Sequence, residues 1–393
     1  MDNACQTYQT MIRITDRSRC CGCTACASAC PHDAIVMKPD EMGFLYPYVL
    51  HDRCVDCGLC ERVCAFTETS DKDEVPSVAF GVRNRDLETL LSSRSGGVFP
   101  AIAEKIVSDG GTVYGAAFDE GFRVVHKRAV DMAAVKEFSG SKYVQSGLEG
   151  IFALVKDDLR SGKKVLFSGT PCQTAGLKSF LNESLTRNLY LVDIVCHGVP
   201  SPVVWEDYVR YQTDRIGGRL TEVSFRDKRL FGWKEYVESF RSGDKVLTDR
   251  SFTHLFYEHV MLRDSCHACP YASVRRVSDM TLADFWGWQD VLPGFNDDDR
   301  GVSLVICSTA KGREMLAEAS GYLDIEEVSL RRCLQPNLVR PSRPGRNREA
   351  FMRDYPVKGL EYVLARYGDK GWRYRVYKAY MDMKYKIKSY FAR

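Results

Sequence analysis

The sequence predicts a small cysteine-rich α+β domain, a larger α/β core and a helical C-terminal extension. Cysteines recur at a fixed spacing between Cys20 and Cys64, which indicates a compact ligand-bearing unit. From Ser77 to about Gln335, short apolar runs alternate with helix-like stretches, a pattern typical of an α/β sheet covered by helices. After Gln335 the strand-like runs stop, and residues 346–393 have a helical pattern rich in aromatic side chains.

The first domain, residues 1–66, contains one ligand pattern twice. Each copy reads C-x2-C-x2-C-x3-C, and the second follows the first after 34 residues, from Cys20 to Cys54. This is the bacterial ferredoxin spacing, in which the fourth cysteine of each copy ligates the other copy's cluster. The spacing therefore predicts an α+β ferredoxin-like domain with two [4Fe-4S] clusters. One cluster is expected on Cys20, Cys23, Cys26 and Cys64, and the other on Cys54, Cys57, Cys60 and Cys30.

Composition and spacing argue against several competing classes. Zinc sites usually pair two CxxC motifs without a third cysteine in step. The chain has 393 residues and 16 cysteines, no run long enough to span a membrane and no signal-peptide pattern, so a reducing cytoplasm is expected rather than a disulfide framework. The net charge of +3 is concentrated in Gly371–Arg393, so no nucleic-acid binding is expected.

The core, residues 77–335, follows a polar segment at 67–76 that is interpreted as a linker. Seven strand-like runs begin with SVAFGV at Ser77 and end with VSLVICS at Val302. Three loops of small residues precede helices, where free backbone N–H groups favour phosphate. A single loop of this kind is more often an ordinary turn, but three in one α/β unit predict a dinucleotide or flavin site. The candidate contacts are Ser95, Gly96, Gly97, Ser141, Lys142, Tyr143, Gly169, Thr170, Pro171 and Gln173.

Four further cysteines of the core lie in loops near predicted strand ends. They are Cys172, Cys196, Cys266 and Cys269. Four thiolates suffice for a third [4Fe-4S] cluster; the alternative is a CxxC zinc or dithiol site, with the other two cysteines merely buried. The remaining cysteines have no partner spacing and are expected to be ordinary thiols: Cys5, Cys21, Cys307 and Cys333.

The motifs GTPCQ, CHGVPSP, CHACPYA followed by MTLADFWG, and GVSLVICSTAKG, with the SGG and GSKYV loops, resemble the beta-subunit family of coenzyme F(420) hydrogenases and dehydrogenases. The resemblance covers about Ser77 to Gln335, and a ferredoxin module ahead of this core recurs in the family. It implies an α/β flavin-binding core that holds FAD and its own [4Fe-4S] cluster. It also implies electron transfer between clusters and a hydride-type small molecule, without fixing the substrate.

The function expected from these features is that of a cytoplasmic, FAD-dependent iron–sulfur oxidoreductase. Electrons would pass between the ferredoxin-type clusters and FAD, and then to or from a small-molecule acceptor or donor, with ferredoxin or an enzyme complex as redox partner. The alternative is an electron-transfer subunit without its own substrate that serves a partner enzyme, for example in polysaccharide biosynthesis. The sequence assigns no catalytic residue, and it leaves the substrate and the direction of electron flow open.

Several other residues of the core and the tail have both a functional and a purely structural interpretation. Lys142 is favoured as a phosphate or flavin contact. His197 is expected to hydrogen-bond backbone in a turn, and Asp284 to cap a helix beginning at Phe285. Trp286 and Trp288 are expected to pack, as residues of the core. The basic, aromatic tail, residues 371–393, is a candidate for weak contact with a membrane surface or a partner, although such a helix more often docks on its own domain.

Overall fold

A computed structural model describes residues 11–66, 77–295, 298–372 and 374–376. This part of the chain is mixed α/β, with one two-stranded, one three-stranded and one eight-stranded sheet. Cys5, the predicted linker at 67–76 and most of the predicted tail helix lie outside the described residues.

The N-terminal unit consists of one β-hairpin and two short helices. In chain order these elements are α1 (Ala25–Ala29), β1 (Ile35–Pro39), β2 (Leu45–Val49) and α2 (Leu59–Arg62). The two strands pair antiparallel. Each helix carries the third cysteine of one copy of the ligand pattern, so the helices present equivalent sulfurs.

The sequence repeat is also a repeat of backbone conformation. Thr24 and Gly58 occupy equivalent positions in the two copies, have φ of 67° and 70°, and immediately precede α1 and α2. Gly22 and Asp56 are likewise equivalent and also have positive φ, 69° and 54°. Because non-glycine residues rarely adopt this conformation, its recurrence shows that the two loops share one geometry.

The core and the C-terminal part contain eleven more strands and ten more helices among the described residues. The first group is β3 (Val78–Asn84), α3 (Leu87–Ser92), α4 (Val98–Ser108), β4 (Thr112–Phe118), β5 (Val124–Ala129), α5 (Met132–Val135), α6 (Ile151–Arg160), β6 (Val165–Gly169), α7 (Pro171–Phe180), β7 (Leu189–Ile194) and α8 (Pro202–Ile216). The second group is β8 (Glu222–Ser224), α9 (Lys228–Phe231), β9 (Glu238–Ser242), β10 (Lys245–Asp249), α10 (Ser251–Tyr257), β11 (Met280–Asp284), β12 (Ser303–Cys307), α11 (Ala310–Glu318), β13 (Leu323–Val328) and α12 (Arg348–Arg366).

The large sheet has the strand order β13-β3-β12-β11-β7-β6-β4-β5. Its centre is parallel, because β11, β7, β6 and β4 run in one direction, and its flanks are antiparallel. All seven strand-like runs of the sequence are strands of this sheet, and β13 is an eighth strand at its edge. The parallel centre places several strand ends on one side, where open α/β sheets bind ligands.

A second layer of structure packs beside the large sheet. The three-stranded sheet β8–β10 shares a hydrophobic core with α8, α10 and α12, which includes Trp205, Phe240, Phe252 and Phe351. The helix α12 is interrupted at Gly359, where φ is 76° and ψ is 178°. The described C-terminal residues therefore dock on the core instead of extending from it.

Candidate redox sites

A cavity of about 300 Å³ opens at the carboxyl ends of β6, β7 and β11. Gly169, Ile194 and Asp284, the last residues of these strands, all line it. We call it the sheet-end pocket. Its position follows the rule for open α/β sheets, and its volume lies at the lower end of the range for cofactor sites, about 300–1,000 Å³.

The sheet-end pocket brings together most of the flavin contacts predicted from the three loops. The lining residues among them are Ser95, Gly97, Ser141, Lys142, Tyr143, Gly169, Thr170 and Gln173. Gly96 and Pro171 do not line it. The N–H of Gly96 donates at 2.9 Å to Oγ of Ser303, which itself lines the pocket. Pro171 lines a neighbouring cavity.

The two helix starts at this pocket differ in their free hydrogen-bond donors. At α4 the capping residue is Gly97, and no side chain caps the first turn. At α7 the N–H of Thr170 already donates to Gln173 Oε1 at 3.0 Å. Because uncapped N–H groups at a helix start favour anions, the α4 end is the better position for a phosphate group.

Three residues of the pocket contain buried polar atoms without a hydrogen-bond partner. These atoms are Ser93 Oγ, Arg94 Nε and Nη1, and His126 Nδ1. His126 Nε2 donates to the carbonyl of Ser168 at 2.9 Å, so Nδ1 is left as an acceptor. Burial lowers the pKa of His126 to about 4. Since an unsatisfied buried polar atom costs free energy, this set fits a polar ligand with an anionic group, such as FAD.

Lys142 lines the same pocket, and its ammonium is held by its own loop. Nζ donates to the carbonyl oxygens of Glu137 and Ser139 at 2.6 and 2.9 Å. Burial lowers the pKa of Lys142 to about 7. A nearby anion would stabilise the charged form, so the protonation of Lys142 is linked to ligand charge.

Asp284 does not cap a helix, so that expectation was wrong. Its Oδ2 accepts from Arg226 Nη1 at 2.9 Å and lies 3.6 Å from Arg94 Nε, while Oδ1 accepts from Trp233 Nε1 at 2.9 Å. The next helical turn begins only at Trp288. Asp284 instead fixes two buried guanidinium groups at one end of the sheet-end pocket.

Contrary to expectation, the ring of His197 does not hydrogen-bond backbone in a turn. It contacts two other side chains instead. Nε2 lies 2.6 Å from His259 Nε2, and Nδ1 lies 3.1 Å from Asn337 Oδ1. Burial, with the neighbouring His259, lowers the pKa of His197 to about 4. Trp288 is buried and Trp286 stacks on a neighbouring indole at 4.6 Å, which is the predicted packing role.

The ligand patterns of the N-terminal unit surround two cavities. The inner cavity is lined by Cys20, Cys23, Cys26 and Cys64, and the outer cavity by Cys30, Cys54, Cys57 and Cys60. These are the two crossed sets that the ferredoxin spacing predicts. Cys57 is exposed, whereas Cys26 and Cys60 are buried in the small apolar cluster between the cavities. The outer cavity is thus the one nearer to solvent.

A third cavity, the core cavity, lies beside the sheet-end pocket. It is lined by Cys172, Cys196, Cys266 and Cys269, the four predicted core cysteines, and also by Cys21. Within the described residues, no group of three or more His, Cys, Asp or Glu side chains is arranged to hold a metal ion. The thiols surround the cavities instead. The donor set around each cavity includes four cysteine thiols, which is the ligand set of a [4Fe-4S] cluster.

The four core cysteines meet through a contact that the strand pattern does not show. Cys172 and Cys196 follow the carboxyl ends of β6 and β7. The CxxC motif instead precedes β11, which is parallel to β7 and therefore starts at the opposite end of the parallel strands. A bridge between Pro200 and Leu262 joins the two loops, and the N–H of Val199 donates to Cys266 Sγ at 3.3 Å. Their positions near strand ends alone therefore do not bring these cysteines together.

Neighbouring cavities adjoin one another in a fixed sequence. The outer and inner cavities have no lining residue in common, but both border the small apolar cluster that contains Cys26 and Cys60. The inner and core cavities share Cys21 and Phe66. The core cavity and the sheet-end pocket share five residues: Thr170, Gln173, Cys196, Gly198 and Val199. The order is outer cavity, inner cavity, core cavity and sheet-end pocket.

The residues at the boundary between the N-terminal unit and the core do not stand out in the sequence. Cys21 was interpreted as an ordinary thiol, yet it is buried and lines both adjoining cavities. Arg263 and Gln145 also lie there, and Gln145 Nε2 donates to the carbonyl of Cys21 at 2.9 Å. No spacing rule marks them, because their role arises from the packing of two separate units. Cys307, by contrast, is buried in the core as expected.

Residues 162–330 match the family model for the C terminus of the coenzyme F420 hydrogenase/dehydrogenase beta subunit, and residues 19–67 match that of the 4Fe-4S dicluster domain. The family resemblance is confirmed. Residues 162–330 of the core are thus related to the coenzyme F420 hydrogenase and dehydrogenase beta subunits, an oxidoreductase family, and residues 19–67 are related to 4Fe-4S dicluster domains.

Individual relatives match separate parts of the chain. The F subunit of the F(420)H(2) dehydrogenase of Methanosarcina mazei is 21% identical over 193 residues, which are 46% of this chain and 54% of that protein. A ferredoxin of Saccharopolyspora erythraea is 36% identical over 74 residues, 18% of this chain and 65% of that protein. The chain therefore spans less than two thirds of either relative. A chain of the F420-reducing [NiFe] hydrogenase complex from Methanosarcina barkeri superposes with a TM-score of 0.43 at 16% identity, over 76% of this chain and 94% of that one.

Across the ranges that the structure describes, no helix has the length and apolar character needed to cross a membrane.

Proposed function

We propose that this chain is an iron–sulfur flavoprotein that carries electrons between a redox partner protein and an organic molecule at the sheet-end pocket. The observation that carries the proposal is the series of adjoining sites, because three thiol-lined cavities lead stepwise to a ligand-sized pocket. No such series is needed for a structural or nucleic-acid-binding iron–sulfur protein. The crossed cysteine sets and the core set would each hold a [4Fe-4S] cluster.

The cofactors differ in the chemistry they supply. Clusters exchange single electrons, and flavin exchanges single electrons with clusters and hydride with organic molecules. The chain's own residues set the order of the sites and their distance from solvent. Cys57 leaves the outer cavity near solvent, where a partner can approach, while the core cavity is enclosed between the N-terminal unit and the sheet.

FAD would be held at the α4 side of the sheet-end pocket. Arg94 and the uncapped N–H groups after Gly97 would bind its phosphates, with Lys142 as a second cation, and His126 Nδ1 would accept a hydrogen bond from a ligand donor. The free donors and the unpartnered acceptor lie at one pocket, which supports a ligand with both phosphate and hydroxyl or amide groups.

The flavin assignment is tested by anaerobic purification, acid release of bound flavin, and titration of the stripped protein with FAD, FMN and a nicotinamide dinucleotide. We expect FAD to bind most tightly, and Arg94→Met to lower its affinity at least tenfold. The matched control is Arg85→Met, because Arg85 is exposed and pairs with Asp324 away from the pocket. A protein that binds no flavin, or binds only the nicotinamide, would contradict the proposal.

A second function, electron transfer in the service of a partner enzyme, is favoured by one relative. The matched Methanosarcina mazei protein is one subunit within an F(420)H(2) dehydrogenase. The two functions differ in one assay, which is anaerobic turnover of the purified chain with reduced ferredoxin and a series of small acceptors. Turnover by the chain alone supports an enzyme with its own substrate, whereas flavin reduction without turnover supports an electron-transfer role within a complex.

A further inference from the structure

Arg263 occupies the boundary between the inner and core cavities. It is fully buried, with 0% of its surface exposed, and it lines the core cavity. Its Nε donates to the carbonyl of Cys20 at 2.8 Å, and Nη2 donates to the carbonyl of Leu45 at 2.8 Å. Nη1 donates to Gln145 Oε1 at 3.0 Å. One guanidinium thus joins two segments of the N-terminal unit to the core.

The same guanidinium is close to a predicted cluster ligand. Nη2 lies 3.7 Å from Cys20 Sγ, and the planar group lies over Tyr46 with its carbon 4.2 Å from the ring centre. A side chain at Gly22 would crowd this arrangement, because a Cβ there would lie 3.0 Å from Arg263 Nη1. The loop of the first ligand pattern is therefore shaped to admit the arginine.

The charge of Arg263 has no carboxylate partner among the described residues. Its hydrogen-bond acceptors are two carbonyl oxygens, an amide oxygen and a sulfur, all of which are neutral groups or cysteine ligands. A permanent cation in a buried site interacts strongly with nearby charge. The groups placed to balance it would be cysteine thiolates of the two adjoining cavities. A cluster held there would gain one negative charge on reduction, and the cation would stabilise that charge.

We propose that Arg263 is a redox-tuning residue that raises the reduction potentials of the inner and core clusters together and leaves the outer cluster unaffected. This inference rests on the proposed function, since it requires clusters in both cavities. Hydrogen bonds and charge near the sulfurs are established determinants of cluster potential. By favouring electrons on the two middle sites, Arg263 would direct electron transfer across the boundary between the two units.

The test is an anaerobic redox titration of the full-length protein, followed by electron paramagnetic resonance, with iron analysis of every sample. Two variants remove the effective charge in different ways. Arg263→Gln deletes the cation, and Gln145→Glu places a carboxylate of the same shape beside it. Arg263→Lys retains the charge. Arg17→Gln is the control because Arg17 is a cation of the N-terminal unit that is half exposed and pairs with Glu41.

We expect Arg263→Gln and Gln145→Glu to lower the reduction potentials of two of the three clusters by at least about 59 mV. For a one-electron step this is a tenfold change in the reduction equilibrium. The third potential should stay constant in every variant, and Arg263→Lys and Arg17→Gln should stay near the wild-type values. Equal potentials in all variants, or a shift of all three together, would overturn the inference. A wild-type protein without three clusters would instead contradict the proposed function, so the two failures are distinguishable.

Discussion

Replacement of Arg276 by methionine should remove the core cluster while leaving the N-terminal clusters in place. Arg276 lies in the loop between Cys269 and β11, and its side chain is only 1% exposed. Nη2 donates to Asp193 Oδ1 and to the carbonyl of Ile194, both at 2.8 Å. It therefore ties the loop of the CxxC motif to the end of β7, two residues before Cys196.

The size of the effect follows from the contacts that are lost. Arg276 also donates through Nη1 to the carbonyls of Tyr271 and Ser273, at 2.8 and 3.3 Å, and through Nε to Thr281 Oγ1 at 3.0 Å. Methionine fills similar space but makes none of these bonds, and it leaves the Asp193 carboxylate buried without its cation. Breaking a buried ion pair by removing one partner costs about 3–5 kcal/mol.

The assay combines iron analysis with urea denaturation followed by circular dichroism. For Arg276→Met we expect a lower unfolding midpoint and the loss of about four of about twelve irons, the content of one four-iron cluster out of three. The control is Arg275→Met, because Arg275 is exposed and surface changes usually stay within about 0.5 kcal/mol. Full iron content and an unchanged midpoint in Arg276→Met would refute the assigned role of this arginine.

Two further predictions concern the contact of the N-terminal unit with the core and the charge at the sheet-end pocket. A Cβ at Gly176 would lie 2.6 Å from Cys23 Sγ. Gly176→Ala should therefore destabilise the fold by about 1–3 kcal/mol through overpacking, and it should alter the electron paramagnetic resonance spectrum of the inner cluster. Gly321→Ala, which has open space around its Cβ, is the control, and equal behaviour of the two variants would contradict this packing. Because the pKa of Lys142 is lowered to about 7 in the free protein and a phosphate would raise it, binding takes up a proton, and FAD affinity should fall as pH rises above 7. In calorimetric titrations, Lys142→Met should flatten the pH dependence of FAD affinity. The control is Lys127→Met, which changes a partly exposed lysine paired with Glu137 and should leave the pH dependence unchanged. An equally steep pH profile in Lys142→Met would exclude a link between Lys142 protonation and FAD binding.

The sequence could predict features that depend on local pattern. The seven apolar runs became strands because an apolar stretch bounded by turn residues must be buried on a sheet. The two ligand patterns surround two cavities because their spacing fits one loop geometry, visible in the matching positive φ of Thr24 and Gly58. Eight of the ten predicted flavin contacts line one pocket, since their loops follow or face the parallel strands.

Features that depend on tertiary packing were not predictable. Strands β8–β10 alternate polar and apolar residues in short runs, and only the neighbouring helices α8 and α10 give them a buried face. The antiparallel direction of β12 and β3 is set by chain connections and not by composition. Cys21 and Arg263 acquire their positions only when the N-terminal unit docks on the core, and Asp284 acquires its partners only when the segment around Arg226 folds over it.

The central claim, that a third cluster connects the N-terminal unit with the sheet-end pocket, is tested most directly by metal analysis of the full-length protein and its Cys269→Ala variant. Cys269 lines the core cavity and neither cavity of the N-terminal unit. After anaerobic purification, the wild-type protein should contain about twelve irons and no zinc, and the variant about eight irons, because one four-iron cluster is lost. Zinc in the wild-type protein, or the same iron content in both proteins, would contradict the account.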